Sequence, residues 1–98
     1  MKEVALGAVN EFTTFPAKVE VESKAYFVLK ELDTYHLVSR TCPHAGARVE
    51  AEDGELVCPL HGWTFDEHNG ACLNVPVKRL ASYPVEVRDG QLIAQMEE

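Results

Sequence analysis

Two short segments of this 98-residue chain carry paired metal-binding side chains, Cys42-Pro43-His44 and Cys58-Pro59-Leu60-His61. Each offers one soft thiolate and one borderline imidazole, close enough in sequence to meet a metal from a single loop. Thirteen residues separate His44 from Cys58, so two such loops can present four ligands together. A Cys₂His₂ set suits a single tetrahedral Zn²⁺. It also suits a [2Fe–2S] cluster with two thiolates on one iron and two imidazoles on the other. The alternative of buried cysteines beside unrelated histidines does not account for paired motifs, each flanked by proline and glycine.

Loops of this kind need a frame, and the rest of the chain supplies short β-prone runs. Lys18-Val19-Glu20-Val21-Glu22 alternates polar and apolar residues, as a half-buried strand does. Residues 25–30 and 35–39 form two further runs, with Glu31-Leu32-Asp33-Thr34 able to turn the chain between them. Near the end, Asp89-Gly90 separates residues 84–88 from 91–94, a strong hairpin signal because both turn positions favour positive φ. No stretch of about ten residues has a convincing helical period. Between Ser39 and Pro76 the texture changes. Pro43, Gly46, Gly54, Pro59, Gly62, Gly70 and Pro76 interrupt the chain repeatedly, as loops that bend around something require. The acidic residues Glu50, Glu52, Asp53 and Glu55 flank Gly54 and read as a solvated hairpin tip. The expectation is an all-β, antiparallel single domain over residues 1–98, with a loop-rich metal-binding subdomain at about 40–77.

The two motifs and their surroundings resemble the Rieske family, whose signature is Cys-x-His followed by Cys-x-x-His. Cys42-Pro43-His44-Ala45-Gly46 and Cys58-Pro59-Leu60-His61-Gly62-Trp63 match it, and the chain from Thr64-Phe65-Asp66 through Val75-Pro76-Val77 to Gly90 is similar to its soluble ferredoxins. The spacer between the motifs is a few residues shorter than is usual there. The resemblance implies a β-sandwich or barrel scaffold and one Rieske-type [2Fe–2S] cluster. It implies that Cys42 and Cys58 bind one iron and that His44 and His61 bind the outer iron. Imidazole in place of thiolate makes such a site less negative and easier to reduce than an all-Cys cluster. Gly46 and Gly62 are expected to let the backbone approach the cluster, and Pro76 to belong to a covering loop.

High-potential members of the family carry an extra disulfide between the cluster loops and place Ser and Tyr hydroxyls near the cluster. Here the corresponding positions are Ala47, Leu60, Trp63 and Phe65. Fewer donors leave the added electron less stabilised, so the expected potential lies toward the low end of the Rieske range, roughly −150 mV. Trp63 can either dock a partner or pack on the scaffold. Cys72 reads as a small buried hydrophobe, and His36 and His68 as structural or solvated residues.

A net charge of −7 tells against nucleic acid as a partner. The longest apolar run, Ala25-Tyr26-Phe27-Val28-Leu29, is far too short to span a bilayer. The N-terminus does not read as a secretory signal, so the expected location is cytoplasmic. Three cysteines and no export signal speak against a disulfide framework. No phosphate-cradling loop or Ser/His/Asp constellation is evident. The expectation is therefore an electron carrier with no small-molecule substrate of its own, serving a reductase and a terminal ring-hydroxylating oxygenase. A small Rieske-like subunit of a larger reductase, such as nitrite reductase, and a structural Cys₂His₂ zinc domain are the alternatives.

Overall fold

The computed structural model describes residues 2–41, 47–52, 54–59, 62–74 and 79–96. Alternation sets its first strands. In β1 (Lys2–Ala8), Val4 and Leu6 pack inward while Glu3 and Ala5 face solvent. A single 3₁₀ turn, Val9–Glu11, precedes β2 (Ala17–Val21), where Ala17, Val19 and Val21 turn inward and Lys18 and Glu20 outward.

The run that is longest and most apolar becomes β3 (Lys24–Glu31), and the fold explains why it does not alternate. Tyr26 and Val28 enter one apolar cluster, while Phe27 and Leu29 on the opposite face enter a second. β4 (Thr34–Ser39) repeats the pattern, with Leu37 in the first cluster and Val38 in the second. A strand covered on both faces reads as continuously hydrophobic. β3 and β4 are thus the wall between two cores.

The second core belongs to a small sheet inserted after β4, made of β5 (Glu50–Glu52), β6 (Glu55–Val57) and β7 (Thr64–Asp66) in that order. The chain then returns as β8 (Ser82–Arg88) and β9 (Gln91–Met96). Asp89 and Gly90 join them with φ of 52° and 76°, as expected for this dipeptide. The large sheet is six-stranded and antiparallel, in the order β1-β9-β8-β4-β3-β2. An ion pair between Lys2 on β1 and Glu22 in the β2–β3 turn links the two ends of that order, so the sheet is curled. The fold is all-β, as the sequence indicates. Gly70 is one place where glycine is required. Its φ is +78°, and a Cβ there would lie 3.3 Å from Val38 Cγ1 on β4.

Candidate metal centre

Cys42, His44 and His61 lie outside the described residues, as do Pro43, Gly46 and Pro76; Cys58 lies within them. The stems from which these segments leave are defined, and the register of the small sheet relates them. Glu50 pairs with Val57, and Val57 pairs with Thr64, so these three residues form one row across β5, β6 and β7. The segment holding Cys42 and His44 enters the sheet just before Glu50. The segment holding Cys58 and His61 runs from Val57 to Thr64. All of it therefore attaches to one end of the sheet. The opposite end carries the row Glu52, Glu55 and Asp66, with Gly54 in the turn. Of the acidic tip expected around Gly54, Glu52 and Glu55 are found there, Asp53 lies outside the described residues, and Glu50 stands instead in the opposite row, paired with Arg40.

Each stem is closed by backbone and side-chain hydrogen bonds. For the first, Thr41 and Arg48 form an antiparallel bridge, and Val49 N–H donates to Arg40 O at 2.6 Å. The Arg40 side chain reinforces it: Nε donates to Val49 O at 3.1 Å and Nη2 to Glu50 Oε1 at 2.8 Å. For the second, Cys58 N–H donates to Trp63 O at 2.8 Å and Gly62 N–H to Cys58 O at 2.9 Å. Cys58 is thus bonded to both Gly62 and Trp63, and Gly62 has a φ of +69°, which favours glycine. A third stem leads to residues 75–78. Leu73 N–H donates to Thr64 O at 2.8 Å, and Ala71 bridges Arg79. Asn74 Oδ1 accepts from both Thr64 N–H at 2.6 Å and the Thr64 hydroxyl at 3.2 Å. Leu73 and Asn74 in this stem are thus tied to Thr64, at the same end of the sheet.

The donor chemistry fits a cluster. Cys58 is fully buried in the second core beside Leu56, Phe65 and Val49. A thiolate in apolar surroundings is costly unless a cation binds it, and metal coordination supplies that cation. Two thiolates and two imidazoles are the set that a histidine-ligated [2Fe–2S] centre takes. Among the described residues, no group of three or more His, Cys, Asp or Glu is placed to hold a metal.

The residues set aside as structural behave as such. Cys72 is buried against Phe65 in the second core. His36 sits half-buried in β4 opposite Leu29 and Pro84. His68 belongs to the turn after β7, at the far end of the small sheet. Its Nδ1 donates to Lys30 O at 3.1 Å, and its Nε2 lies 3.7 Å from Glu67 Oε1. The Lys30 carbonyl, together with the charges of Asp66, Glu67 and Glu31, raises its pKa above the ordinary 6.5. Phe65 is fully buried and brings no hydroxyl, and Trp63 packs partly on the second core while keeping some exposure. Sequence reasoning missed Arg40 and Asn74. Neither is a ligand type, and their partners lie ten residues away in sequence. The one available signal was an arginine two positions before a ligand-type cysteine.

The Rieske [2Fe–2S] domain family model matches residues 2–84. A Haloferax mediterranei protein named as a Rieske subunit of a respiratory nitrate reductase is 42% identical over 64 residues. That match covers 61% of this chain and 29% of the relative, so the chain corresponds to under a third of the relative's length. Among solved structures, a plasma membrane Rieske protein from Synechocystis superposes with a TM-score of 0.75 at 23% identity, over 95% of this chain and 99% of its own. The ferredoxin of carbazole 1,9a-dioxygenase from Nocardioides aromaticivorans superposes with a TM-score of 0.70 at 24% identity, over 99% and 100%.

Proposed function

The chain belongs to the Rieske [2Fe–2S] domain family, and from that premise we propose that Cys42, His44, Cys58 and His61 hold its one Rieske-type cluster. In this reading the thiolates of Cys42 and Cys58 bind one iron and the imidazoles of His44 and His61 the outer iron. The supporting observation is the row Glu50, Val57 and Thr64, which attaches both motif-bearing segments to one end of the small sheet. When bound, such a cluster takes up and gives back one electron at a time. The chain's own residues bury one thiolate, Cys58, in the second core and close the loops around the ligands. The protein is an electron-transfer component and not itself a catalyst, and the zinc reading gives way to the cluster. Residues 1–98 form a single domain, with about 40–77 as the cluster-binding part.

The partner assignment is a diffusible cytoplasmic ferredoxin that passes electrons from a reductase to a terminal oxygenase of the ring-hydroxylating type. The similarity to an oxygenase ferredoxin over the full length of both chains supports it. Among the described residues, no helix is long and apolar enough to cross a membrane. A second reading, a small Rieske-like subunit of a larger reductase such as nitrite reductase, draws on the relative named for nitrate reductase. Purification decides between them. A monomer that turns over with a separate reductase supports the ferredoxin; a stable complex with a large reductase supports the subunit.

The cluster assignment is tested by electron paramagnetic resonance of dithionite-reduced protein, with iron and sulfide counted on the same sample. A rhombic signal with average g below that of all-Cys ferredoxins, and about two irons per chain, is the expected result. One tightly held zinc without labile sulfide would overturn it.

A further inference from the structure

Arg40 is the one buried charged residue among those described. Its guanidinium carbon sits 4.7 Å from the centre of the Phe27 ring, in cation–π contact with the wall strand β3. Its Nε and Nη2 reach across to Val49 and Glu50 at the entrance of the small sheet. Its backbone serves the same junction: Arg40 N–H donates to Ala25 O at 3.2 Å, and Arg40 O accepts from Val49. One residue therefore ties the large sheet, the small sheet and the stem of the first motif together. Cys42 follows two positions later, which keeps the two Cα atoms within about 7 Å of each other.

The pairing with Glu50 is unequal. The Arg40 side chain is 10% exposed, whereas that of Glu50 is 47% exposed. Water screens the carboxylate far more than the guanidinium. The pair accordingly leaves a net positive field on its buried side. A guanidinium carries a fixed charge, and its planar fork meets two acceptors at once, which an ammonium does not reproduce.

We propose that Arg40 is a positioning residue for the cluster, fixing the stem from which the first ligand segment leaves and biasing the centre toward its reduced form by its buried positive charge. This rests on the assignment of Cys42 as a ligand. Adding an electron adds one negative charge, and the Arg40 guanidinium, bonded to Glu50 in the row from which the motif-bearing segments leave, would favour that state. A residue whose role was packing alone would place no charge there, and an apolar side chain of similar length would replace it.

The test uses the holoprotein and three variants, Arg40→Met, Arg40→Lys and Glu50→Gln, each scored for iron and sulfide content, electron paramagnetic resonance signal and midpoint potential. Arg40→Met is expected to load less iron and, in the loaded fraction, to show a lower potential. Arg40→Lys keeps the charge and is expected to recover the potential better than the iron content. Glu50→Gln removes the counter-charge at a half-exposed position and is expected to raise the potential. Opposite shifts in Arg40→Met and Glu50→Gln support the proposal. Unchanged potentials in loaded Arg40→Met and Glu50→Gln overturn it, whatever happens to loading. Should Arg40→Met fail to fold, Arg40→Gln takes its place, an unchanged or raised potential in its loaded fraction overturning the proposal. A Cys42→Ala variant that keeps a full cluster would instead remove the ligand assignment, a separate failure visible without any Arg40 variant.

Discussion

The large sheet is built from long partners, such as the eight residues of β3 and the seven each of β1 and β8, while every strand of the small sheet has three. Strands that short contribute few ladder hydrogen bonds. The small sheet therefore depends on other devices. Its core packs on the outer faces of β3 and β4, Gly70 lets its last turn press on Val38, and its loops are closed by Arg40, Cys58 and Asn74 contacts. Metal ligation adds to these, since binding free energy at such a site is also folding free energy. One region thus carries stability in strand pairing, and the other borrows it from a wall, from stems and from ligands.

The largest effect should come from removing a ligand. Cys58→Ala is expected to abolish the cluster, read as loss of colour, iron and labile sulfide. Amides of β5–β7 should then exchange hydrogen much faster, while those of β3, β4, β8 and β9 stay protected. Equal loss of protection in both sheets would break the distinction between them.

Next come the cores. Phe65 and Leu37 are both fully buried, one in each cluster. Phe65→Ala should cost about 3–5 kcal/mol and Leu37→Ala about 2–5 kcal/mol, by the usual cost of large cavities. Denaturant unfolding measures both. The sharper contrast is in the metal. Phe65→Ala should also lower iron retention, because Phe65 packs in the core that holds Cys58, whereas Leu37→Ala should leave retention per folded molecule unchanged.

The two regions were unequally legible in the sequence. Short β-prone runs and the Asp89-Gly90 turn were enough to find β2, β3, β4 and the last hairpin, because those signals are local. β1 was missed, since Gly7 breaks its pattern where the pairing with β9 shifts register. β7 gave no signal at three residues. The ligand-type residues stood out by residue type and spacing; of the four, Cys58 falls among the described residues, buried in the second core. The closure of the stems was not. Arg40 with Glu50 and Asn74 with Thr64 are joined by side-chain bonds across loops, and no periodicity encodes such pairs.

Asn74 offers a smaller effect on the same theme. Asn74→Ala removes the acceptor for Thr64 N–H and for the Thr64 hydroxyl. The expected loss is about 1 kcal/mol, typical of a hydrogen bond at a part-exposed site. It should be confined to faster exchange at Thr64 and its neighbours, with the large sheet unaffected.

The smallest effect concerns the contact that ties the far end of the small sheet to the wall. His68 reaches back to Lys30 on β3, 38 residues earlier in the chain. Its pKa is raised in the folded protein, first by the Lys30 carbonyl and then by Asp66, Glu67 and Glu31. Because the folded form holds the proton more tightly than the unfolded chain, the contribution is fully present below the ordinary 6.5. It declines as pH rises through the folded value and is absent above it. The ring is exposed, so the effect is weak and sensitive to salt. Stability measured from pH 5 to 9 should therefore carry a shallow downward step beginning near 6.5 that His68→Ala removes. A nuclear magnetic resonance titration of His68 should give a value above 6.5. Since Lys30 and the turn after β7 belong to different sheets, protonation of His68 should protect the small-sheet turn more than the large sheet. A step of equal size in both would mean that the two regions unfold as one, and that the stems couple them more tightly than the short strands suggest.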